Sequence, residues 1–226
     1  MLELGGFTPL STVDWPDRLA AVVFVQGCPW RCGYCHNPEL QRRGRPGGPR
    51  WPAVLDTLSR RTGLLDGVVF SGGEPTADPQ LPEATAQVRA LGLQAGLHTA
   101  GIYPQRLAAL LPSLAWVGFD IKTDFAGYEA LTGRRRSAAA TRRSLEHLLA
   151  SGVAYEIRTT YHPALVSDPA LLDCARMLKA LGVRDWVLQR WRPRDDTPSA
   201  QVSGWQWPGE ALMQALRAHG PSLTLR

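Results

Sequence analysis

Lysine is almost missing from these 226 residues. Of 25 basic side chains only Lys122 and Lys179 are lysine, so arginine is the default cation and Lys122 stands out. Cysteine is scarce too, with four in the chain. Met1 to Gly6 has neither a basic n-region nor an apolar h-region, so no signal peptide and a cytoplasmic setting are expected. Clustered cysteines there bind metal or do chemistry more often than they cross-link. No apolar stretch approaches the roughly 20 residues that cross a bilayer, which argues against a membrane partner. The formal net charge of +5 is mild. Sheet-surface interleaving of aromatic and basic residues is lacking, so a nucleic-acid partner is not expected. Paired C-x2-4-C and H-x3-5-H units of zinc modules are absent as well. The length suits one domain, residues 1–226.

What the chain does have is three cysteines close together: Cys28, Cys32 and Cys35, spaced C-x3-C-x2-C, directly after the apolar run Ala20 to Val25. Such thiolates can converge on one metal centre, and soft sulfur selects zinc, copper(I) or iron–sulfur clusters. An all-cysteine site needs a fourth ligand. Cys174 lies far along the chain in a helical pattern with Leu171, Leu178 and Leu181, the setting of a buried free thiol. His36 follows Cys35 directly, an awkward position for ligating the same ion. Three thiolates therefore suggest a cubane cluster with one iron left open.

Strand-like and helix-like segments alternate along the chain. Six strands are expected at Ala20–Gln26, Gly67–Phe70, Gln94–Thr99, Trp116–Ile121, Ala154–Tyr161 and Asp185–Trp191, mostly apolar or β-branched runs of the kind buried on both faces. Helical patterns lie between and after them, at Pro52–Arg61, Pro79–Leu91, Pro104–Leu111, Ala138–Ala150, Asp168–Leu181 and Gly209–His219. Several open on proline and several close on glycine, at Gly63, Gly92, Gly152 and Gly182. This α/β alternation calls for a parallel sheet, either open and doubly wound or a partial barrel, with its ligand site outside the carboxyl ends of the strands. Unusual residues do fall there. The second strand runs into Gly72-Gly73-Glu74-Pro75, where glycine permits close backbone approach and Glu74 adds a carboxylate. The third ends in Leu97-His98-Thr99-Ala100-Gly101. The fourth ends in Asp120-Ile121-Lys122, whose alternation puts opposite charges on one side. Arg158 and Gln189 sit inside apolar runs and need partners, from a core network or a ligand. The clusters Arg42-Arg43, Arg134-Arg135-Arg136 and Arg142-Arg143 read as solvated faces, with polyphosphate binding or partner docking through bidentate guanidinium contacts as the alternative.

The cysteine spacing, with Tyr34 just before the last cysteine, resembles the radical S-adenosylmethionine (SAM) enzymes, and Gly72-Gly73-Glu74-Pro75 matches that family's GGEP motif. The resemblance implies a partial (β/α)6 TIM-like barrel, with the cluster loop at 27–40 and the βα units over 20–219. It implies a [4Fe-4S] cluster on Cys28, Cys32 and Cys35, whose open iron chelates SAM. Reductive cleavage then gives a 5′-deoxyadenosyl radical. Gly72, Gly73 and Glu74 would hold the methionine amino group. Thr99 and Gly101 agree with a family D-T-N-G element near the ribose, where His98 would be either a ribose contact or a packed histidine. Asp120 and Lys122 look like the D-x-K element of radical-generating activases, with an internal ion pair as the structural alternative. Tyr34, Arg158 and Gln189 complete the expected SAM site.

The opening Gly6 to Pro16 and the exit Cys35-His36-Asn37-Pro38-Glu39-Leu40 are similar to activating proteins of anaerobic ribonucleoside-triphosphate reductase. By that resemblance the substrate is a backbone glycine of a glycyl-radical enzyme, and the electron donor a flavodoxin or ferredoxin. The ring-contracting 7-carboxy-7-deazaguanine synthase is the small-molecule alternative, though its Q-G-E-G and C-D-T elements are absent. A pyruvate formate-lyase relative is another conceivable partner. Alanine substitution at Cys28, Cys32 or Cys35 is expected to abolish the absorbance of the anaerobically reconstituted cluster, and Cys174→Ala to spare it. Equal loss at Cys174 would overturn the open-iron arrangement.

Overall fold

A computed structural model describes residues 2–192 and 206–226. Most of the 192–207 segment, in which no sequence pattern is legible, therefore lies outside the described residues. Eight strands form one sheet in sequential order: β1 Leu4–Ser11, β2 Ala20–Val25, β3 Gly67–Gly72, β4 Gln94–Thr99, β5 Trp116–Asp120, β6 Ala154–Tyr161, β7 Asp185–Arg190 and β8 Ser222–Leu225. From β2 to β8 every pairing is parallel. The α-helices among the described residues are α1 Trp51–Ser59, α2 Leu81–Ala90, α3 Pro104–Leu110, α4 Tyr128–Thr132, α5 Ser137–Ser151, α6 Asp168–Ala180 and α7 Glu210–His219. The winding is that of a partial barrel, with β1 and β8 as its two edges.

All six expected strands are present, and two more extend the sheet. β1 pairs antiparallel with β2 and is broken by register shifts around Gly5 and between Thr8 and Ser11. Two glycines, Pro9 and those irregularities erase the period-2 alternation that identifies a strand. β8 is four residues long and mostly exposed, too short to carry a pattern. The short α4 also escapes the sequence, ending at Gly133 in the left-handed region.

The register decides which residues share a face. Ala20 opposes Gly67, Val69 opposes Gly96, Gly96 opposes Trp116, His98 opposes Gly118, Asp120 opposes Arg158, and Thr160 opposes Gln189. These belong to the concave inner face. The other face, including Val23, Phe70, Leu97, Phe119, Ile157 and Leu188, packs into the main core beneath the helices. The inner face has a small core of its own, made of Trp15, Ala20, Val69 and Trp116. Trp15, from the β1–β2 connection, stacks on Trp116 with ring centres 5.6 Å apart. A Cβ at Gly67 or Gly96 would come within 2.8 or 2.9 Å of its ring, so bare glycine makes the room. Beyond this plug, toward the strand carboxyl ends, the face turns polar at Ser71, His98, Asp120, Arg158, Thr160 and Gln189.

Trp15 is 5% exposed. Replacing it by alanine should cost about 3–5 kcal/mol, measured by urea unfolding. A loss below about 1 kcal/mol would mean that the ring does not fill the barrel.

Candidate active site

A cavity of about 390 Å³ lies at the carboxyl ends of the strands, and every site residue singled out from the sequence, from Cys28 to Gln189, lines it. The cluster loop is closed at its base by two backbone bonds, Gly27 N to Leu40 O at 2.7 Å and Cys28 N to Gln41 O at 3.0 Å. The end of β3 then locks onto that base: Gly73 N donates to Val25 O at 2.9 Å and Glu74 N to Gly27 O at 2.8 Å. Gly72 has φ +109°, and a Cβ there would sit 2.6 Å from the Val25 backbone. One on Gly73 would sit 2.6 Å from the Gly27 carbonyl. The sequence assigns this close approach to a ligand; the structure shows that the paired glycines first admit the cluster loop itself.

The three motif thiols are partly buried and free, whereas Cys174 is fully buried in the main core. Burial, reinforced by the Glu74 charge, pushes the Cys28 thiol up to about 12. Burial raises Cys32 as well, against the pull of the Lys122 ammonium. A metal centre must therefore displace protons here. Among the described residues no three Cys, His, Asp or Glu side chains form a group that could hold one metal ion. In a cubane each thiolate takes a different iron, so its ligands need not converge on one ion. The three-thiol donor set beside a lysine cation fits an anionic iron–sulfur group.

Glu74 is 1% exposed. Its Oε1 accepts from the Thr99 hydroxyl at 2.7 Å and from the backbone and hydroxyl of Thr76. Oε2 accepts from Ala100 N at 3.0 Å, which leaves acceptor capacity on that oxygen. Burial raises the carboxyl pKa, and the Thr76 and Thr99 donors act against it. Glu74 thus ties β3 to β4 at the cavity wall, and Thr99 is committed to it.

Asp120 is the electrostatic hinge. Its Oδ1 accepts from Arg158 Nε at 3.0 Å and pairs ionically with Nη2 at 2.9 Å, and its Oδ2 accepts from Lys122 Nζ at 3.0 Å. Burial alone would raise the Asp120 pKa, but the two cations hold it well below the usual carboxylate range. Lys122 is kept protonated by the Asp120 charge against its own burial. The internal ion pair is therefore real, and Arg158 finds its partner within it. Gln189 lines the cavity with no side-chain hydrogen bond among the described residues.

Of the two roles open to His98, the structure gives the packed one. Nε2 donates to the Asp14 carbonyl at 2.8 Å, leaving Nδ1 to accept from the Ser71 hydroxyl at 3.2 Å, and Trp116 lies edge-on at 5.5 Å. Three further contributors are not apparent in the sequence. The Tyr128 hydroxyl accepts from Lys122 N at 2.9 Å. The Arg226 guanidinium grips Glu156 with bonds of 3.0 and 2.8 Å. Arg43, read from sequence as solvated, is exposed and also donates to the buried Asp78 carboxylate at 2.8 Å, holding the cluster-loop exit against the protein. The runs at 134–136 and 142–143 are exposed, as expected. Arg43 could have been singled out only by knowing where Asp78 falls.

Burial, with the Arg158 charge second, depresses the His98 pKa from 6.5 to about 3. The unfolded chain therefore takes a proton that the folded one refuses. As pH falls from 6.5 toward about 3, this group should cost up to about 1.4 kcal/mol of stability per pH unit. His98→Gln should flatten that part of the stability–pH curve. An unaltered slope would show that another group titrates there.

Comparison with known proteins identifies the family. The model of the radical SAM superfamily matches residues 22–168. The chain is 25% identical over 201 residues to a Methanocaldococcus jannaschii protein named for glycyl-radical enzyme activation, covering 85% of this chain and 81% of that one. It is 33% identical over 168 residues to the pyruvate formate-lyase-activating enzyme of Clostridium pasteurianum, covering 70% and 68%. PqqA peptide cyclase of Methylorubrum extorquens is 31% identical over 215 residues, but the alignment takes in 91% of this chain and only 52% of the cyclase. Among solved structures, SuiB of Streptococcus suis bound to SAM aligns with a TM-score of 0.65 at 13% identity, covering 89% of this chain and 48% of SuiB. QueE from Escherichia coli aligns at 0.59 and 15%, covering 100% and 93%. With both signature segments meeting in one cavity on this barrel, the chain belongs to the radical SAM superfamily, whose cofactors are a [4Fe-4S] cluster and S-adenosylmethionine.

Proposed function

We propose that this protein activates a glycyl-radical enzyme by removing a hydrogen atom from a backbone glycine, with anaerobic ribonucleoside-triphosphate reductase as its partner. The observation that carries the reading is the naming of two relatives as activating enzymes, one 25% identical across 85% of this chain and the other 33% identical across 70% of it. A site of this kind must exclude water to suppress side reactions, and an inserted partner loop would do so.

In this reading Cys28, Cys32 and Cys35 hold the cluster. When bound, the cluster and SAM supply one-electron reductive chemistry that yields a carbon radical able to take a hydrogen atom. The protein's own part is electrostatic and positional. Lys122, held charged by Asp120, offers an ammonium to the ligand's carboxylate, and Glu74 Oε2 offers an acceptor to its ammonium. Arg158 keeps Asp120 ionised and in place. Gln189, with its amide uncommitted, faces the same ligand. A flavodoxin or ferredoxin would deliver the electron, in an anaerobic cytoplasm.

The reduced enzyme alone should cleave SAM slowly. Adding the anaerobic ribonucleotide reductase of the same cell should produce a glycyl-radical doublet in electron paramagnetic resonance. Repeated turnover of a small metabolite, with no doublet from any glycyl-radical partner, would defeat the activase reading.

A further inference from the structure

The run Arg134-Arg135-Arg136 lies in the connection between α4 and α5, and that connection is fastened to the cluster loop. Arg31 N donates to Thr132 O at 2.9 Å. Trp30 packs edge-on against Tyr128 with ring centres 5.9 Å apart, and a Cβ on Gly133 would sit 3.6 Å from Arg31 Cβ. The Thr132 hydroxyl donates to Ser137 Oγ at 2.8 Å and closes the base of the connection. The three arginines between them are all exposed. Arg136 is held at φ +60°, where side-chain-bearing residues are uncommon, and its N–H donates to Glu129 Oε1 at 2.6 Å. The tract is thus a fixed feature of the surface beside the cysteines.

Its charge is unanswered. None of the three guanidiniums has a hydrogen-bond or ion-pair partner among the described residues. At the exit of the cluster loop the opposite holds, for Arg43 faces both Glu3 and Asp78. The way inward from the tract is short as well. Thr132 is bonded to Arg31, and the residue after Arg31 is Cys32. An electron delivered at this surface therefore has a bonded route to a cluster ligand. Since the cavity side is given to SAM and the substrate, a donor needs another face of the loop. Electron-carrier encounters are small and weak, and they rely on charge to bring the partners together.

We propose that Arg134, Arg135 and Arg136 form the docking surface for an acidic one-electron carrier protein, with Thr132 and Arg31 linking that surface to Cys32. One electron leaves the carrier and enters the cluster, and no bond is made or broken. The inference rests on the carrier-driven reduction proposed above and is independent of which substrate gives up the hydrogen atom.

The test compares cluster-loaded enzyme with a variant carrying Arg134→Gln, Arg135→Gln and Arg136→Gln. A control carries Arg60→Gln, Arg89→Gln and Arg176→Gln, which removes the same charge from exposed positions elsewhere. Flavodoxin and ferredoxin are the probes. Binding of the oxidised carrier and bleaching of the cluster absorbance by the reduced carrier are both measured. In about 0.01 M salt, where charges act over about 30 Å, the tract variant should bind and be reduced about tenfold less well. The difference should vanish near 1 M salt, where that range is about 3 Å. The control should match the unaltered enzyme, and dithionite should reduce all three alike. Carrier binding that the tract substitutions leave unchanged would overturn the inference alone, and so would equal loss in the control. Failure of both carriers to bind the unaltered enzyme would overturn the carrier reading with it. Loss of tripolyphosphate binding with carrier binding intact would make the tract a polyphosphate site instead. Loss of glycyl-radical formation in dithionite-reduced variant, again with carrier binding intact, would assign the surface to the substrate protein.

Discussion

The site depends on two glycines lying against a loop. Gly72 and Gly73 let the end of β3 come within hydrogen-bonding distance of Val25 and Gly27, at a spacing where any Cβ would collide with backbone. Overlap with a main-chain atom cannot be relieved by turning a side chain, so larger residues would have to push the loop away. The three cysteines are carried on that loop, and Glu74 is carried on the strand end. Their relative positions therefore follow from a backbone contact rather than from side-chain packing.

The second constraint comes from curling an open sheet. Helices cover only the outer face, so the inner face must be filled by the chain's own residues or left to a ligand. Near the strand starts it is filled by Trp15 against Trp116, with glycine below. Near the strand ends the side chains are polar, and their charges are balanced mainly among themselves. Asp120 answers Arg158 on the neighbouring strand and Lys122 just past the end of its own, and Glu156 answers Arg226. Such partly buried pairs contribute less to stability than to fixing where charge sits. Here they hold an ammonium and a guanidinium at fixed places on the cavity wall.

The same packing explains why His98 is structural. Both ring nitrogens are satisfied by protein atoms, and one of them accepts its place from the β1–β2 connection that also delivers Trp15. The plug and the cavity floor are therefore one assembly. Arg43 and Asp78 act in a similar way from the other side, where a wholly buried carboxylate secures the loop exit through a half-exposed guanidinium. In both cases residues distant in sequence fix the cluster loop and the strand ends to one frame.

The sequence by itself determined the parallel strands and the places where they end, because continuous apolar runs and proline or glycine boundaries are local signals. It also determined which chemical groups stand at those ends, since the cysteine spacing and Gly72-Gly73-Glu74-Pro75 are contiguous. β1 and β8 stayed hidden because an irregular, glycine-bearing edge strand and a four-residue strand have no period to detect. Only the tertiary structure decided that Arg158 reaches Asp120, that His98 is spoken for by Asp14, that the exposed Arg43 is also latched to Asp78, and that the Tyr34 hydroxyl has no partner among the described residues. Each of these depends on register or on contact between distant segments. Local pattern can say that a buried polar group needs a partner, but only three-dimensional packing says which one it has.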